Sequence, residues 1–251
     1  MGMEIKGKVH CLFEQSGTFK KEFQKLGYSA YDYDIQDDYN ETDYVLDLFT
    51  EIERAYADGA FYSDFPSIFN NMQKDDLIIA FFPCIMFCQA KQTYFYLSCN
   101  NYAKLTDKQK IEKVLENSVK RTTYYNLLVK LVGVCLERGL RLIIENPWTA
   151  PHFLMHNFLK PPAIIDNNRM ERGDYFKKPT AYWFFNCEPA HGFSHQNDKK
   201  QKIVQDCERS AGNGFCSKER SMISPDYARN WICDFVLGRE QHLEASLFGE
   251  V

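Results

Sequence analysis

The 251-residue sequence has no uninterrupted apolar run long enough to span a membrane. It opens on charged residues, and neither a signal peptide nor an anchor is visible. Nine cysteines, an odd number scattered along the chain, do not match the disulfide framework of a secreted protein and fit reduced thiols instead. These absences predict a cytoplasmic protein without a membrane partner.

A strong net charge is also lacking, because 30 Lys and Arg residues nearly balance 34 Asp and Glu residues. The distribution is uneven: residues 1–100 contain 8 basic and 16 acidic residues, whereas residues 160–229 contain 12 and 9. A polyanionic partner would therefore contact mainly the C-terminal third, although an unevenly charged solvated surface explains the same counts. A net acidic chain argues against tight, non-specific DNA binding.

The sequence does contain a regular alternation of apolar strands and amphipathic helices. The predicted strands cover residues 8–14, 29–34, 43–49, 76–82 and 140–146, and the predicted helices cover residues 18–27, 50–59 and 121–139. Strands separated by helices form parallel sheets with helices on both faces. The sequence therefore predicts an α/β, doubly wound domain.

Ligands of such sheets bind at the carboxyl ends of the strands, and three predicted strands end in suitable residues. Ser16 and Gly17 follow the first strand and permit a tight turn before a helix N-terminus. Asp34 ends the second strand, where a carboxylate suits ribose hydroxyls, and Asp47 with Leu48 could hold a purine after the third. The ordered set predicts a nucleoside-containing cofactor, and ordinary turn chemistry with helix capping is the alternative.

A thiol and a carboxyl group end two further apolar strands. The stretch "DLIIAFFPCIMFCQ" places Pro83 and Cys84 at the end of a strand, and proline restricts the backbone beside the thiol. The stretch "LRLIIENP" ends in Glu145, and buried carboxylates are rare without a partner or a task. Free cysteines in apolar segments are usually packing residues, which is our interpretation of Cys11, Cys88, Cys99, Cys135 and Cys233.

The segments "CLFEQSGTF", "AYDYDI", "VLDLF", "DLIIAFFPC" and "LRLIIENP" follow one another as the motifs of the cytosine-5 DNA methyltransferase family do. The chain resembles that family over roughly residues 8–148, with a fainter likeness to about residue 237. The resemblance implies a Rossmann-like methyltransferase fold, S-adenosylmethionine as cofactor and DNA as substrate. It implies a catalytic, cofactor-binding domain over 1–150, a small irregular substrate-facing subdomain over 151–219, and a segment over 220–251 that packs back on the first domain.

The resemblance also implies roles for individual residues. Cys84 would add to carbon 6 of cytosine while Glu145 acts on ring nitrogen 3. Lys178, in the basic turn of "GDYFKKPTAYWFF", would approach the base and its phosphate. The implied cofactor-binding residues are Phe13, Ser16, Gly17 and Thr18 on the methionine side, Asp34 at the ribose, Asp47, Leu48 and Asp76 around the adenine, and Pro83 and Ser221.

The chain departs from the family at several positions. Gln15 stands where the family has a glycine, Phe81 and Phe82 replace small residues and a proline, and Ile85 replaces a glutamine. Only about 40 residues separate the basic turn from the last motif, so the large target-recognition domain is missing. Three hypotheses follow: a DNA cytosine-5 methyltransferase, a methyltransferase acting on a smaller or single-stranded pyrimidine substrate, and a non-catalytic descendant that binds cofactor or nucleic acid.

A zinc site is the competing chemistry in the C-terminal third. The residues that suggest it are Cys187, His191, His195, Cys207 and Cys216. Their spacing matches no compact zinc signature, and we predict no metal.

Overall fold

The computed structural model describes residues 2–58, 66–192 and 222–238, which build one seven-stranded sheet with helices. The strands are β1 (Val9–Leu12), β2 (Ala30–Asp34), β3 (Tyr44–Val45), β4 (Leu77–Ala80), β5 (Arg141–Pro147), β6 (Ile164–Asp166) and β7 (Thr180–Phe185). The α-helices are α1 (Thr18–Lys25), α2 (Leu48–Asp58), α3 (Gln89–Gln92), α4 (Asp107–Arg138), α5 (Leu154–Asn157) and α6 (Pro225–Trp231). A π-helical stretch, Ile232–Leu237, follows α6 directly.

The strand order is β3-β2-β1-β4-β5-β7-β6, and the pairs from β3 through β5 are all parallel. The strand β7 runs antiparallel to both of its neighbours, β5 and β6. The predicted α/β class with a mostly parallel sheet is confirmed, and the arrangement is compatible with a Rossmann-like fold. The direction of winding reverses between β1 and β4, which is where sheets of this kind open a crevice beyond their carboxyl ends.

Helices cover both faces of the sheet, which explains why its central strands are continuously apolar. All four residues of β4 are buried, and they alternate between two hydrophobic clusters. Ile78 and Ala80 belong to the cluster that contains residues of α2 and α4. Leu77 and Ile79 belong to the cluster that contains residues of α1 and α6.

The third strand is much shorter than the prediction over residues 43–49. Its last residue is Val45, and α2 already begins at Leu48. The carboxylate of Asp47 accepts hydrogen bonds from the amide of Phe49 (3.0 Å) and the hydroxyl of Thr50 (2.6 Å). An acid that satisfies free amides at a helix start favours the helix, and this capping outweighs the apolar pattern "VLDLF".

Helix α4 begins 14 residues before the predicted start at residue 121. Thr106 and Gln109 form a capping box, in which each side chain hydrogen-bonds the backbone of the other residue. The capping box is visible in the sequence, but the first turns of α4 are largely polar and show no helical repeat of apolar residues. Within the described parts of the chain, no helix is both long and apolar enough to cross a membrane.

The sheet does not stop at the predicted domain boundary near residue 150. Strands β6 and β7 lie beyond that boundary and complete the same sheet, with β7 paired along β5 from Leu142 to Pro147. Helix α6 packs on α1, where the ring centroids of Trp231 and Phe19 lie 5.7 Å apart. Residues 193–221 and 239–251, which belong to the predicted second and third units, lie outside the described residues.

Candidate active site

A cleft of about 220 Å³ lies at the carboxyl ends of β1 and β4, where the winding reverses. Seven of the predicted site residues line it: Phe13, Ser16, Asp34, Pro83, Cys84, Glu145 and Lys178. Eight lining residues were not predicted as site residues: Glu14, Gln15, Tyr39, Phe81, Phe82, Pro147, Met222 and Ile223. The sheet thus brings together a thiol, carboxyl groups and an amine from distant parts of the sequence.

The turn after β1 has an unusual backbone. Phe13 has a φ of 61°, in the left-handed region that residues other than glycine rarely adopt. Its ring packs against Phe82, with ring centroids 5.2 Å apart. Gly17 has a φ of 64° and directly precedes α1. Left-handed residues cluster at functional sites, because the surrounding structure must hold such a backbone in place.

The buried side chain of Glu14 caps the N-terminus of α1. Its carboxylate accepts hydrogen bonds from the amides of Phe19 (2.7 Å) and Lys20 (3.4 Å). Burial, reinforced by the neighbouring charge of Asp32, raises the pKa of Glu14 to about 7. The first turn of α1 therefore already has an internal acceptor. Our interpretation of the turn as a simple ligand-binding helix start missed this, although an acid just before a helix start is a capping signal.

Gln15, which replaces a family glycine, is anchored at one side of the cleft. Its amide nitrogen donates to the side chain of Gln36 (3.1 Å), and its oxygen accepts from the amide of Asp38 (3.3 Å). Asp34 lies nearby, where burial raises its pKa and its carboxylate accepts from the amide of Gln36 (2.8 Å). The side chain of Gln15 therefore bridges to the loop after β2.

The side-chain amide of Asn146 links the segment before Cys84 to the strand that carries Glu145. Asn146 is fully buried, and its side-chain nitrogen donates to the carbonyl oxygens of Phe82 and Glu145, both at 2.9 Å. The carbonyl of Cys84 accepts from the amides of residues 87 and 88, each at 2.9 Å, which closes a turn directly after the thiol. The backbone on both sides of Cys84 is therefore fixed.

The Cys84 thiol is neutral at neutral pH in this environment. Burial raises its pKa to about 11, Lys178 opposes this shift through its positive charge, and Glu145 adds to it. The thiolate, not the thiol, is the nucleophile. Any chemistry that uses Cys84 therefore needs a nearby positive charge or the removal of its proton.

We expect the alkylation of Cys84 by iodoacetamide to accelerate about tenfold per pH unit from pH 7 to 9.5, because the thiolate population grows in that proportion below the pKa. Lys178→Met should slow the reaction at each pH, since it removes the cation that favours the thiolate. Peptide mass spectrometry separates Cys84 from Cys88. A rate for Cys84 that levels off below pH 9 would contradict the raised pKa.

Besides Gly17 and Thr18, three of the predicted cofactor residues that the structure describes do not line the cleft. Asp76 precedes β4 and lies at the amino end of the sheet, where it accepts from the amides of Lys8 (2.7 Å) and Gln73 (2.8 Å) and contacts His10 Nε2 (3.1 Å). Asp76 therefore lies at the opposite end of β4 from Cys84, away from the cleft.

Asp47 and Leu48 are the other two residues. Leu48 is buried in the hydrophobic cluster against α2 and α4, and Asp47 caps α2. The cause is the early start of α2, which turns Leu48 into the core. Gly17 and Thr18 adjoin the cleft through Ser16, whose hydroxyl lies 3.0 Å from that of Thr18. Ser221 lies outside the described residues.

The structure describes two of the five candidate zinc ligands. Cys187 is half-buried with its sulfur 3.4 Å from the carbonyl of Phe185, and His191 is exposed. His195, Cys207 and Cys216 lie outside the described residues. Among the residues described, no three His, Cys, Asp or Glu side chains are grouped as a metal site requires.

Cys11, Cys99, Cys135 and Cys233 are buried, which confirms their interpretation as packing residues. Cys88 is only half-buried and directly precedes α3, with its sulfur 3.7 Å from the carbonyl of Ile85. It is the natural control for the thiol of Cys84.

Comparison with known proteins adds no relative from which a function could be transferred. No protein-family model matches the chain, and no curated protein matches it.

Proposed function

We propose that the chain is an S-adenosylmethionine-dependent methyltransferase that acts on carbon 5 of cytosine in DNA. The observation that carries the proposal is the meeting of Cys84 and Glu145 in one cleft at the point where the winding reverses. These two residues lie 61 positions apart in the sequence, and Asn146 connects the backbone of Glu145 with that of Phe82, two residues before Cys84. A strand that ends in a fixed thiol beside a carboxyl group suits addition to a ring with general acid assistance.

The side of the cleft near β1 and β2 has the chemistry to hold the cofactor. Asp34 offers a carboxylate to ribose hydroxyls, and Ser16 and the edge of the Phe13 ring line the same space. The cofactor supplies an electrophilic methyl group. The carboxylate of Glu14 already accepts hydrogen bonds from the first amides of α1. We therefore assign the binding of the cofactor's polar end to side chains of the cleft rather than to that helix terminus.

The other side of the cleft has the chemistry to activate a pyrimidine. Cys84 would form a bond to carbon 6 of the ring, and Glu145 would deliver a proton to nitrogen 3 as negative charge develops there. Lys178 would favour the thiolate, because its positive charge opposes the effect of burial on Cys84. Carbon 5 would then attack the methyl group, which would leave the sulfonium sulfur of the cofactor. Loss of the proton from carbon 5 to solvent, return of the nitrogen 3 proton to Glu145 and departure of the thiolate would release the product.

DNA is the proposed substrate, and its target base would enter the cleft outside the helical stack. A base inside a duplex cannot reach a thiol in a recessed cleft, so enzymes that modify bases take the base out of the stack. The basic turn with Lys177 and Lys178 comes directly ahead of β7, and Lys178 lines the cleft. Basic side chains near a flipped base favour contacts with its phosphates.

We expect the purified protein to bind S-adenosylmethionine, and Asp34→Ala to weaken that binding roughly 10- to 150-fold. A charge-assisted hydrogen bond to a ribose hydroxyl contributes about 1.5 to 3 kcal/mol. Isothermal titration calorimetry measures both proteins, with Glu112→Ala, an exposed carboxylate on α4 that does not line the cleft, as the matched control. Absence of binding to the parent protein would refute the cofactor assignment.

A second candidate function is binding of cofactor or nucleic acid without methyl transfer. The observation that favours it is the burial of Cys84, which raises its pKa to about 11 and leaves the thiol protonated at neutral pH. The two candidates differ in one result, since only the enzyme forms a covalent bond between Cys84 and a pyrimidine.

A further inference from the structure

A buried arginine lies between Glu145 and a second carboxylate. Arg169 is fully buried, with its Nη1 at 3.9 Å from Oε1 of Glu145 and its Nη2 at 2.5 Å from Oδ2 of Asp174. Within the described residues, Oε1 of Glu145, Oδ2 of Asp174 and all three guanidinium nitrogens of Arg169 make no hydrogen bond, so the contact between Arg169 and Asp174 is an ion pair only. One guanidinium thus serves two buried carboxyl groups, and it is closer to Asp174.

The total charge of this cluster depends on whether Glu145 holds a proton. With Glu145 ionised, two carboxylates face one guanidinium and the cluster carries one net negative charge. With Glu145 protonated, Asp174 and Arg169 neutralise each other. Burial disfavours net charge, and with Asp174 beside Arg169 a proton on Glu145 leaves the buried cluster neutral.

We propose that Arg169 and Asp174 are positioning residues for Glu145, in which Asp174 neutralises the buried guanidinium and so leaves Glu145 able to carry a proton. The catalytic meaning of this inference rests on the proposed function, in which Glu145 gives that proton to ring nitrogen 3. Neither Arg169 nor Asp174 lines the cleft, so both act through Glu145.

Asp174 is held rigidly in the position that this role requires. Its Oδ1 accepts hydrogen bonds from the amides of Tyr175 (2.9 Å) and Ser224 (3.0 Å), and Ser224 is the N-cap of α6. The guanidinium of Arg169 lies over the ring of Tyr227 at 4.5 Å. Burial opposes the charge of Arg169, but Asp174 and the surrounding groups outweigh it and raise its pKa.

Other titratable groups also face Glu145. From the elements around it these are Cys84, Lys178, Glu14 and Tyr182, the last directly opposite on β7. Burial raises the pKa values of Cys84 and Tyr182, so both are neutral near pH 7. Lys178 is half-exposed, and water screens its charge more than that of the fully buried Arg169. Glu14 lines the same cleft, and its pKa is about 7. In any titration experiment, the signal of Glu14 must therefore be distinguished from that of Glu145.

The test is a titration of the Glu145 carboxyl group by ¹³C NMR in protein labelled at glutamate, with no ligand present. The signal is assigned by its loss in Glu145→Gln, and the Glu14 signal by its loss in Glu14→Gln. In Asp174→Asn the guanidinium keeps only Glu145 as a counter-ion. We therefore expect the titration midpoint of Glu145 to fall by about one to three pH units relative to the parent. An unchanged or higher midpoint would overturn the inference.

The double variant Arg169→Met with Asp174→Asn removes the pair together, and it keeps the test decisive if the single variant fails to fold. Replacing a buried ion pair by neutral residues is commonly tolerated, whereas removing one partner is not. Because the pair is neutral overall, we expect the midpoint of Glu145 in the double variant to stay close to that of the parent. A large shift in the double variant would show that Arg169 alone governs Glu145, which would overturn the role of Asp174.

A methyl-transfer assay distinguishes failure of this inference from failure of the proposed function. Asp174→Asn should methylate DNA at least about tenfold more slowly at pH 7.5, recover as the pH is lowered, and bind S-adenosylmethionine like the parent. A loss of rate that is the same at every pH would indicate a merely structural role and would overturn the inference. If the parent protein transfers no methyl group, the proposed function fails, and the NMR titration still decides whether Asp174 controls Glu145.

Discussion

Replacing Cys84 with serine is expected to abolish a covalent adduct that the parent protein forms with an oligonucleotide containing 5-fluorocytosine. If the proposed function is right, the thiolate of the parent bonds to carbon 6 and carbon 5 takes the methyl group of S-adenosylmethionine. Release then needs a proton to leave carbon 5, and the fluorine at that position cannot leave as a proton. The adduct therefore accumulates, and denaturing gel electrophoresis with intact-protein mass spectrometry detects it.

Cys88→Ser is the matched control, because Cys88 is half-buried and lies only four residues from Cys84. It should form the adduct at the rate of the parent. Both single- and double-stranded oligonucleotides belong in the experiment, since they separate a duplex substrate from a single-stranded one. An adduct that survives in Cys84→Ser would show that another residue is the nucleophile.

The second large effect is expected for Glu145→Gln, which should slow methyl transfer about 10² to 10⁴-fold. Glutamine keeps the shape and hydrogen-bonding capacity of the side chain but cannot supply the proton that nitrogen 3 takes up as the thiolate adds. The affinity for S-adenosylmethionine should change little, because Glu145 lies on the Cys84 side of the cleft. Single-turnover kinetics measures the rate, and calorimetry measures the affinity.

Stability is the necessary control, because Glu145 is buried beside the guanidinium of Arg169 at 3.9 Å. Removing one partner of a buried ion pair destabilises many proteins. Arg169 keeps Asp174 as its partner at 2.5 Å, so Glu145→Gln should melt within a few degrees of the parent. A variant that melts normally, binds cofactor normally and methylates at the parental rate would contradict the role of Glu145.

The central sheet and the meeting of Cys84 with Glu145 could be predicted because local patterns determine them. Continuous apolar segments such as Leu77–Ala80 indicate strands buried on both faces, and parallel strands collect their carboxyl ends at one edge. Residues at or just beyond those ends, namely Ser16, Asp34, Cys84 and Glu145, accordingly line one cleft. Asp76 instead precedes its strand and therefore lies at the other edge of the sheet.

The rest could not be predicted because it depends on contacts between distant residues. Arg169 and Asp174 come from a short turn before β7, and their pairing with each other and with Glu145 has no sequence period. Met222 reaches the cleft through the packing of the segment before α6, where it accepts a hydrogen bond from the hydroxyl of Tyr39 at 3.4 Å. Such contacts between residues 183 positions apart leave no local signal.

The most direct measurement is incubation of the protein with DNA and S-adenosylmethionine carrying a tritiated methyl group, followed by nucleoside analysis of the DNA. We expect radioactivity in 5-methylcytosine with the parent protein and with Cys88→Ser, and none with Cys84→Ser. Radioactivity in a different nucleoside, equal incorporation by Cys84→Ser, or no incorporation by a parent protein that demonstrably binds S-adenosylmethionine would contradict this expectation.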